Sequence, residues 1–354
     1  MIVVVGSVQA EVRIDMTMPK APDPKAQQEG GGVSPWEREA YGEGGRFGSM
    51  QMMPSGDPSK DRISIHYCGC GYNVARLLAE KGRDVAFVSV VGEDPLGLAA
   101  AADLQRCGID TSHLKMIDEF TAKAGDAAEE PVGPDAAGTV ANGLIRQSLT
   151  SIRVVAKNFL GDTEFWREDG RMLEEITPQQ IADAQPLLEK AQLVLADGGL
   201  PEETIRWIAS VCREAGVRFY LDPASVKGGA KASELLDGLY GIMPGRREAE
   251  AMSGLQILSG DQLMEAGAYF AEKGVQQIVI TMKGGGLYYK EGMNEEILRP
   301  ERVLRFSETV GAGDVVTAAL LNAYAQDRPI GEAAREAMAD AAAHLADCVD
   351  ERRY

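Results

Sequence analysis

The residues best placed to do chemistry lie late in the chain, where Glu308-Thr309-Val310-Gly311-Ala312-Gly313-Asp314 runs into an apolar helical stretch. The glycines allow a tight turn that brings several backbone N–H groups to the start of that helix. Those donors, with the positive end of the helix dipole, suit a phosphoryl group whose charge spreads over its oxygens. Asp314 stands at the mouth of this anion hole, where a carboxylate can accept the proton of an attacking hydroxyl. On the residues alone a second reading stays open. For an isolated Gly-Ala-Gly-Asp it is the more ordinary one: a glycine-rich turn with the aspartate as helix N-cap.

A turn of this kind needs a frame. Val315, Val316, Ala319, Leu320 and Ala323 form one apolar face and would anchor the helix. Further back, the runs Ile2–Val5, Val85–Val91, Leu193–Ala196, Val217–Leu221 and Gln277–Thr281 read as buried parallel strands. Helical patterns over Asn73–Lys81, Leu96–Arg106, Pro201–Ala215 and Gly260–Lys273 separate most of them. That alternation predicts a doubly wound α/β sheet. Residues 19–62 and 121–143 break the pattern, being rich in Gly, Pro and charge or in Ala and Gly; each is read as mobile or as a functional flap. The strand-like pieces Val12–Thr17, Arg62–Tyr67 and Ser148–Ala156 do not fit the parallel sheet and form either surface hairpins or a small sheet of their own.

With 354 residues, 45% of them hydrophobic, the chain can bury a substantial core as one large α/β domain or two smaller ones. A net charge of −18 argues against binding nucleic acid through its phosphates, although local loop amides can still bind a nucleotide. Five cysteines without regular spacing are no disulfide framework, the N-terminus does not read as a signal peptide, and the apolar runs are too short to span a bilayer. A reducing cytoplasm is the expected compartment. Cys68 and Cys70, with His66 nearby, lack a second ligand pair and read as packed or loop thiols rather than a metal site. Gly69-x-Gly71 lacks the third glycine of a dinucleotide-binding turn. His113 and His344 have no neighbours in sequence that suggest catalysis, and Met50, Met52 and Met53 read as packing.

The Gly311-Ala312-Gly313-Asp314 turn, opening a C-terminal helix shortly after a threonine, resembles the signature of the ribokinase-like (pfkB) family of carbohydrate and nucleoside kinases. Other stretches are similar to that family in order and spacing: Val3–Val12, Cys68–Gly82, Val91–Gly97, Cys107–Asp110, Tyr220–Ser225, Met243–Gly254 and Val279–Tyr289. Among its members, Leu193–Ile208 and the three last-named stretches look most like pseudouridine kinases. The resemblance implies a three-layer α/β/α sandwich with a mostly parallel central sheet, as a single domain over 1–354. The off-pattern strands, at about 12–67 and 144–157, become a β-sheet lid, which in this family often serves as a homodimer interface; the oligomeric state is left open. The implied activity is transfer of phosphate from ATP to a sugar or nucleoside hydroxyl, with Mg²⁺ and with a monovalent-cation requirement left open.

Residue by residue, the resemblance makes Asp314 the catalytic base and Gly311, Ala312 and Gly313 the anion hole. Gln9, Glu11, Gly69, Gly71 and Asn73 become substrate residues. Gln9-Ala10-Glu11 stands where the family usually has Asn-x-Asp, so each side chain is one methylene longer. Cys68 replaces a family glycine. Asn73 is also a candidate helix cap. Thr281, Lys283, Gly284, Gly286 and Thr309 would bind nucleotide, with Lys283 at a family glycine. Glu248 would organise Mg²⁺ through water. Gly245 stands where the family has an asparagine; Arg246 and Arg247 are candidate replacements. The chain ends earlier than typical members, which shortens a segment that often frames adenine. Two other classes stay in view: a non-catalytic ligand-binding descendant, supported by the altered nucleotide half, and an NAD-dependent oxidoreductase, whose fingerprint Gly6-Ser7-Val8-Gln9 does not fit.

Overall fold

The structure, a computed structural model, describes residues 1–16, 62–118, 150–157, 163–282, 284, 286–300 and 311–350. The chain divides into a larger unit of Met1–Ala10, Tyr67–Ile152 and Asp169–Tyr354 and a smaller one of Glu11–His66 and Arg153–Glu168.

The strands, in chain order, are β1 (Ile2–Val5), β2 (Gln9–Asp15), β3 (Arg62–Cys68), β4 (Val85–Gly92), β5 (Leu114–Ile117), β6 (Ile152–Lys157) and β7 (Thr163–Glu168). They continue with β8 (Leu193–Asp197), β9 (Arg218–Asp222), β10 (Gly241–Ile242), β11 (Gln277–Thr281), β12 (Leu287–Glu291) and β13 (Asn294–Leu298). The helices are α1 (Cys70–Glu80), α2 (Pro95–Arg106), α3 (Arg171–Glu174), α4 (Gln185–Glu189), α5 (Glu202–Ala215), α6 (Val226–Ala232), α7 (Arg246–Ser253), α8 (Gly260–Glu272), α9 (Ala312–Tyr324) and α10 (Ile330–Asp350).

The larger unit is built on a nine-stranded sheet in the order β13-β12-β11-β10-β9-β8-β1-β4-β5. It is parallel from β11 to β5, and β12 and β13 are antiparallel at one edge. Val3, Val5, Val194 and Ala196 belong to one apolar cluster, and Ile2, Val4, Leu193 and Leu195 to another. This period-two alternation is that of a sheet covered on both faces. Ile205 and Ile208 of α5 and Leu263 and Phe270 of α8 complete the first cluster. Val74 and Leu78 of α1, Leu104 of α2, Leu320 of α9 and Ala337 of α10 complete the second. Each fully buried Val, Leu or Ile contributes roughly 1.5–3 kcal/mol. The result is the three-layer α/β/α sandwich with a mostly parallel sheet.

A second sheet, β3-β2-β6-β7, takes up the off-pattern strand pieces. Its fourth strand, β7, was not expected from the sequence; it pairs antiparallel with β6, Val155 opposite Trp166. Most of the 19–62 insertion, the 121–143 insertion and the methionines at 50, 52 and 53 lie outside the described residues. No helix among the described residues is long and apolar enough to cross a membrane.

Candidate active site

Because β1, β8, β9, β10 and β11 run parallel, their carboxyl ends share one edge of the sheet. That edge is where open α/β sheets bind ligands. β1 leads there to Ser7, β8 and β9 end in Asp197 and Asp222, and β10 and β11 lead to Gly245 and Thr281. Ser7 donates to Asp197 Oδ2 through its N–H (3.3 Å) and its Oγ (2.5 Å), and Gly199 N–H donates to Oδ1 (2.8 Å). Asp197 thereby ties together the turns after β1 and β8.

The start of α1 rests directly on the turn after β1. Gly69, at φ 125°, is its N-cap, and Tyr72 N–H donates to the Ser7 carbonyl at 3.1 Å. A Cβ on Gly71 would lie 2.7 Å from Gly6 Cα, so only glycine permits this approach. Asn73 therefore sits inside the first turn of α1 and does not cap it, which overturns the cap reading. Its Nδ2 donates to Asp314 Oδ2 at 2.7 Å.

Asp314 is the third residue of α9. The N-cap is Gly311, at φ 80°, so Asp314 is not a helix cap either. Burial foremost pushes the Asp314 carboxyl up to about 6; the Asn73 donor opposes this, Asp197 adds to it, the Cys70 thiol opposes it and Glu248 adds again. Ionisable atoms of Cys70, Asp222 and Asp314 lie within 4.8 Å of one another. Asp222 is pushed up to about 8, first by burial and then by the charges of Glu248 and Asp314. Its Oδ2 accepts from Thr317 Oγ1 at 2.6 Å and its Oδ1 from Ala224 N–H at 3.0 Å.

Beside Asp314 opens a cleft of about 400 Å³. Gly245, Glu248, Thr281, Gly284, Gly286, Ala312 and Gly313 line it, with Val316, Met338, Ala341 and Leu345 on an apolar side. Glu248 Oε2 accepts from Gly245 N–H at 2.6 Å, and burial raises its carboxyl. Arg246, which also lines the cleft, donates to the Ile257 carbonyl at 2.9 Å; Arg247 lines it too. His344 Nε2 would lie 3.4 Å from a Cβ on Gly311, so this histidine borders the turn that opens α9.

The structure thus brings Asn73 onto Asp314, packs Gly69 and Gly71 on the turn after β1, and gathers Glu248, Thr281, Gly284, Gly286, Ala312 and Gly313 around one cleft. Gln9 is buried in the larger unit. Glu11 lies in the smaller unit, buried, with Arg13 Nη2 at 3.4 Å from Oε1 and Arg153 Nε at 3.6 Å from Oε2. Lys283 and Thr309 lie outside the described residues. Sequence reasoning missed Ser7, Asp197, Asp222 and Thr317. The one available signal was an aspartate closing a buried strand before Gly or Pro, at Asp197 and Asp222. Glu248, a carboxyl on the wall of the cleft, is a hard oxygen donor of the kind that suits Mg²⁺, and the glycine-lined cleft suits a nucleotide.

The profile of the pfkB family carbohydrate kinases matches residues 47–128 and 147–347. The chain is 23% identical over 287 residues to the pseudouridine kinase of Escherichia coli K12, covering 81% of this chain and 82% of that one. It is 28% identical over 280 residues to the ribokinase of Bacillus subtilis 168, covering 79% and 80%. The solved Arabidopsis thaliana ribokinase, complexed with ribose and ATP, superimposes with a TM-score of 0.67 at 20% identity, over 96% of this chain and 90% of that one, and so shares the fold.

Proposed function

The chain belongs to the pfkB family of carbohydrate kinases, and from that premise we propose that it transfers the γ-phosphoryl group of ATP to the 5′-hydroxyl of a nucleoside, pseudouridine foremost. The observation that carries this reading is the Asn73–Asp314 hydrogen bond at the first turn of α9. It holds a desolvated carboxylate beside a cleft of nucleotide size. The similarity to the E. coli pseudouridine kinase supports the choice of acceptor.

In this reading Gln9, Gly69, Gly71 and Asn73 hold the ribose so that its primary hydroxyl meets Asp314. Asp314, ionised at neutral pH, accepts the hydroxyl proton as the oxygen bonds to the γ-phosphorus and the bond to the β-phosphate oxygen breaks, releasing ADP. N–H groups of Gly311, Ala312 and Gly313 receive the charge on the transferring oxygens. Thr281, Lys283, Gly284, Gly286 and Thr309 bind the nucleotide, and Glu248 would hold Mg²⁺ through water. When bound, that ion neutralises phosphate charge. A ribose site of buried polar groups rejects acceptors that leave those groups unpaired.

The test is kcat/KM for pseudouridine, uridine, adenosine, ribose and fructose with Mg-ATP. Nucleosides are expected to outperform free sugars, with pseudouridine first. A clear preference for fructose or ribose would remove the nucleoside assignment and leave a sugar kinase; no turnover with any acceptor would favour a ligand-binding role.

A further inference from the structure

The first turn of α9 carries Asp314, yet its N-cap is Gly311, which has no side chain to fasten it. The rotation of that turn is therefore set from outside. One hold is Asn73 on Asp314. A second comes from the sheet: Thr317, one turn beyond Asp314 and 1% exposed, donates its Oγ1 proton to Asp222 Oδ2 at 2.6 Å. Residues three apart share a side of a helix, so a hold on Thr317 governs the direction of Asp314.

The other jaw of this clamp is stiff. Asp222 closes β9, and its Oδ1 is held by Ala224 N–H at 3.0 Å. Ala224 adopts φ 59°, which an L residue rarely takes and which persists only where the surroundings enforce it. They do: a Cβ on Gly198 would lie 2.7 Å from Pro223 Cα, and one on Gly228 would lie 2.1 Å from the Pro223 carbonyl oxygen. The Pro223 turn is wedged between the turn after β8 and α6.

We propose that Asp222 is a positioning residue for phosphoryl transfer: by gripping Thr317 it fixes the rotation of α9 that aims Asp314 at the acceptor hydroxyl. This rests on Asp314 being the base. Asp222 itself takes no proton from the acceptor and touches no reacting atom. Proximity of a catalytic group is steeply rewarded, and a misplacement of about 1 Å costs up to ~10²-fold.

The experiment compares wild type with Asp222→Ala, Thr317→Val, Thr317→Ser and the Asp222→Ala/Thr317→Val double variant, in the full chain with Mg-ATP and its best acceptor. Asp222→Ala and Thr317→Val are each expected to lower kcat by roughly 10- to 100-fold while KM for ATP moves by less than about threefold. Thr317→Ser restores the hydroxyl and should recover most of the lost kcat. The double variant should be no worse than the worse single one, because both break the same contact. Losses under about threefold in both singles, losses that multiply in the double variant, or no recovery with serine would each overturn the clamp. Should Asp222→Ala not fold, the near-isosteric Thr317→Val carries the comparison. If the wild type phosphorylates no acceptor, the kinase reading fails separately, and amide exchange decides the clamp. Faster exchange at 314–317 in Thr317→Val supports it, and unchanged exchange there refutes it.

Discussion

Asn73 and Asp314 are 241 positions apart in the chain and joined by a 2.7 Å hydrogen bond. Asp314→Asn keeps the size of the side chain but cannot accept a proton. Turnover is expected to fall by about 10²–10⁴, with thermal unfolding little changed. Steady-state kcat checks this, and near-normal turnover would remove Asp314 from the mechanism. A base must be ionised to work. With the Asp314 carboxyl pushed up to about 6, kcat/KM should rise with pH through that value and level off above it. The Asn73 donor favours the ionised form, so Asn73→Ala should move the midpoint upward besides weakening the rate. A pH–rate profile on both proteins measures this; a midpoint that stays put or falls counts against the pair acting as described.

At the scale of elements, the site depends on how closely α1 approaches the turn after β1. The atoms that a Gly71 Cβ would meet are Gly6 Cα at 2.7 Å and Gly6 C at 3.0 Å, both backbone, with no flexible side chain to give way. Gly71→Ala should therefore push α1 off the turn and destabilise the larger unit by about 1–3 kcal/mol. Because Asn73 rides on the same helical turn, its hold on Asp314 should loosen as well. Urea unfolding tests the first part: the midpoint should drop with the slope unchanged. Gly82→Ala is the contrast. That glycine has a positive φ but open space around the missing Cβ, so strain is its only cost.

Across the whole molecule, the −18 net charge is accompanied by carboxyls at one edge of the sheet, Asp222 buried and Asp314 and Glu248 half-buried, all with raised proton affinity. A carboxyl that binds its proton more tightly folded than unfolded stabilises the fold while protonated. That contribution is complete below the unfolded value near ~4 and is lost as pH climbs through the folded value, about 8 for Asp222. Thermal stability should therefore decline as pH rises through this window, helped by growing self-repulsion of the acidic chain. Asp222→Asn, which cannot ionise, should flatten the decline. Tm measured across this range decides, and a variant as steep as wild type would show that Asp222 is not a source.

Part of this was readable without coordinates, because it is local. Ile2–Val5 and Leu193–Ala196 are continuous apolar runs of the kind that strands buried on both faces carry. Gly311–Asp314 announces a turn and a helix start through its own backbone freedom, and the role proposed for Asp314 came from the family resemblance. Other strands could not be read: β5 and β10 are too short to show a period, and β7 has only two apolar residues, adjacent to each other and flanked by charges. The pairings were out of reach for a different reason. Gly6 meets Gly71 and Ser7 meets Asp197 because β1 lies between β4 and β8 in the sheet. Thr317 meets Asp222 because the fold brings the start of α9 to the end of β9. Strand order is a property of the packed chain, and the proton affinities of Asp222 and Asp314 follow from the burial and neighbours it creates. Residue types and their spacing name the groups able to do the chemistry; which of those groups touch follows from strand order and packing.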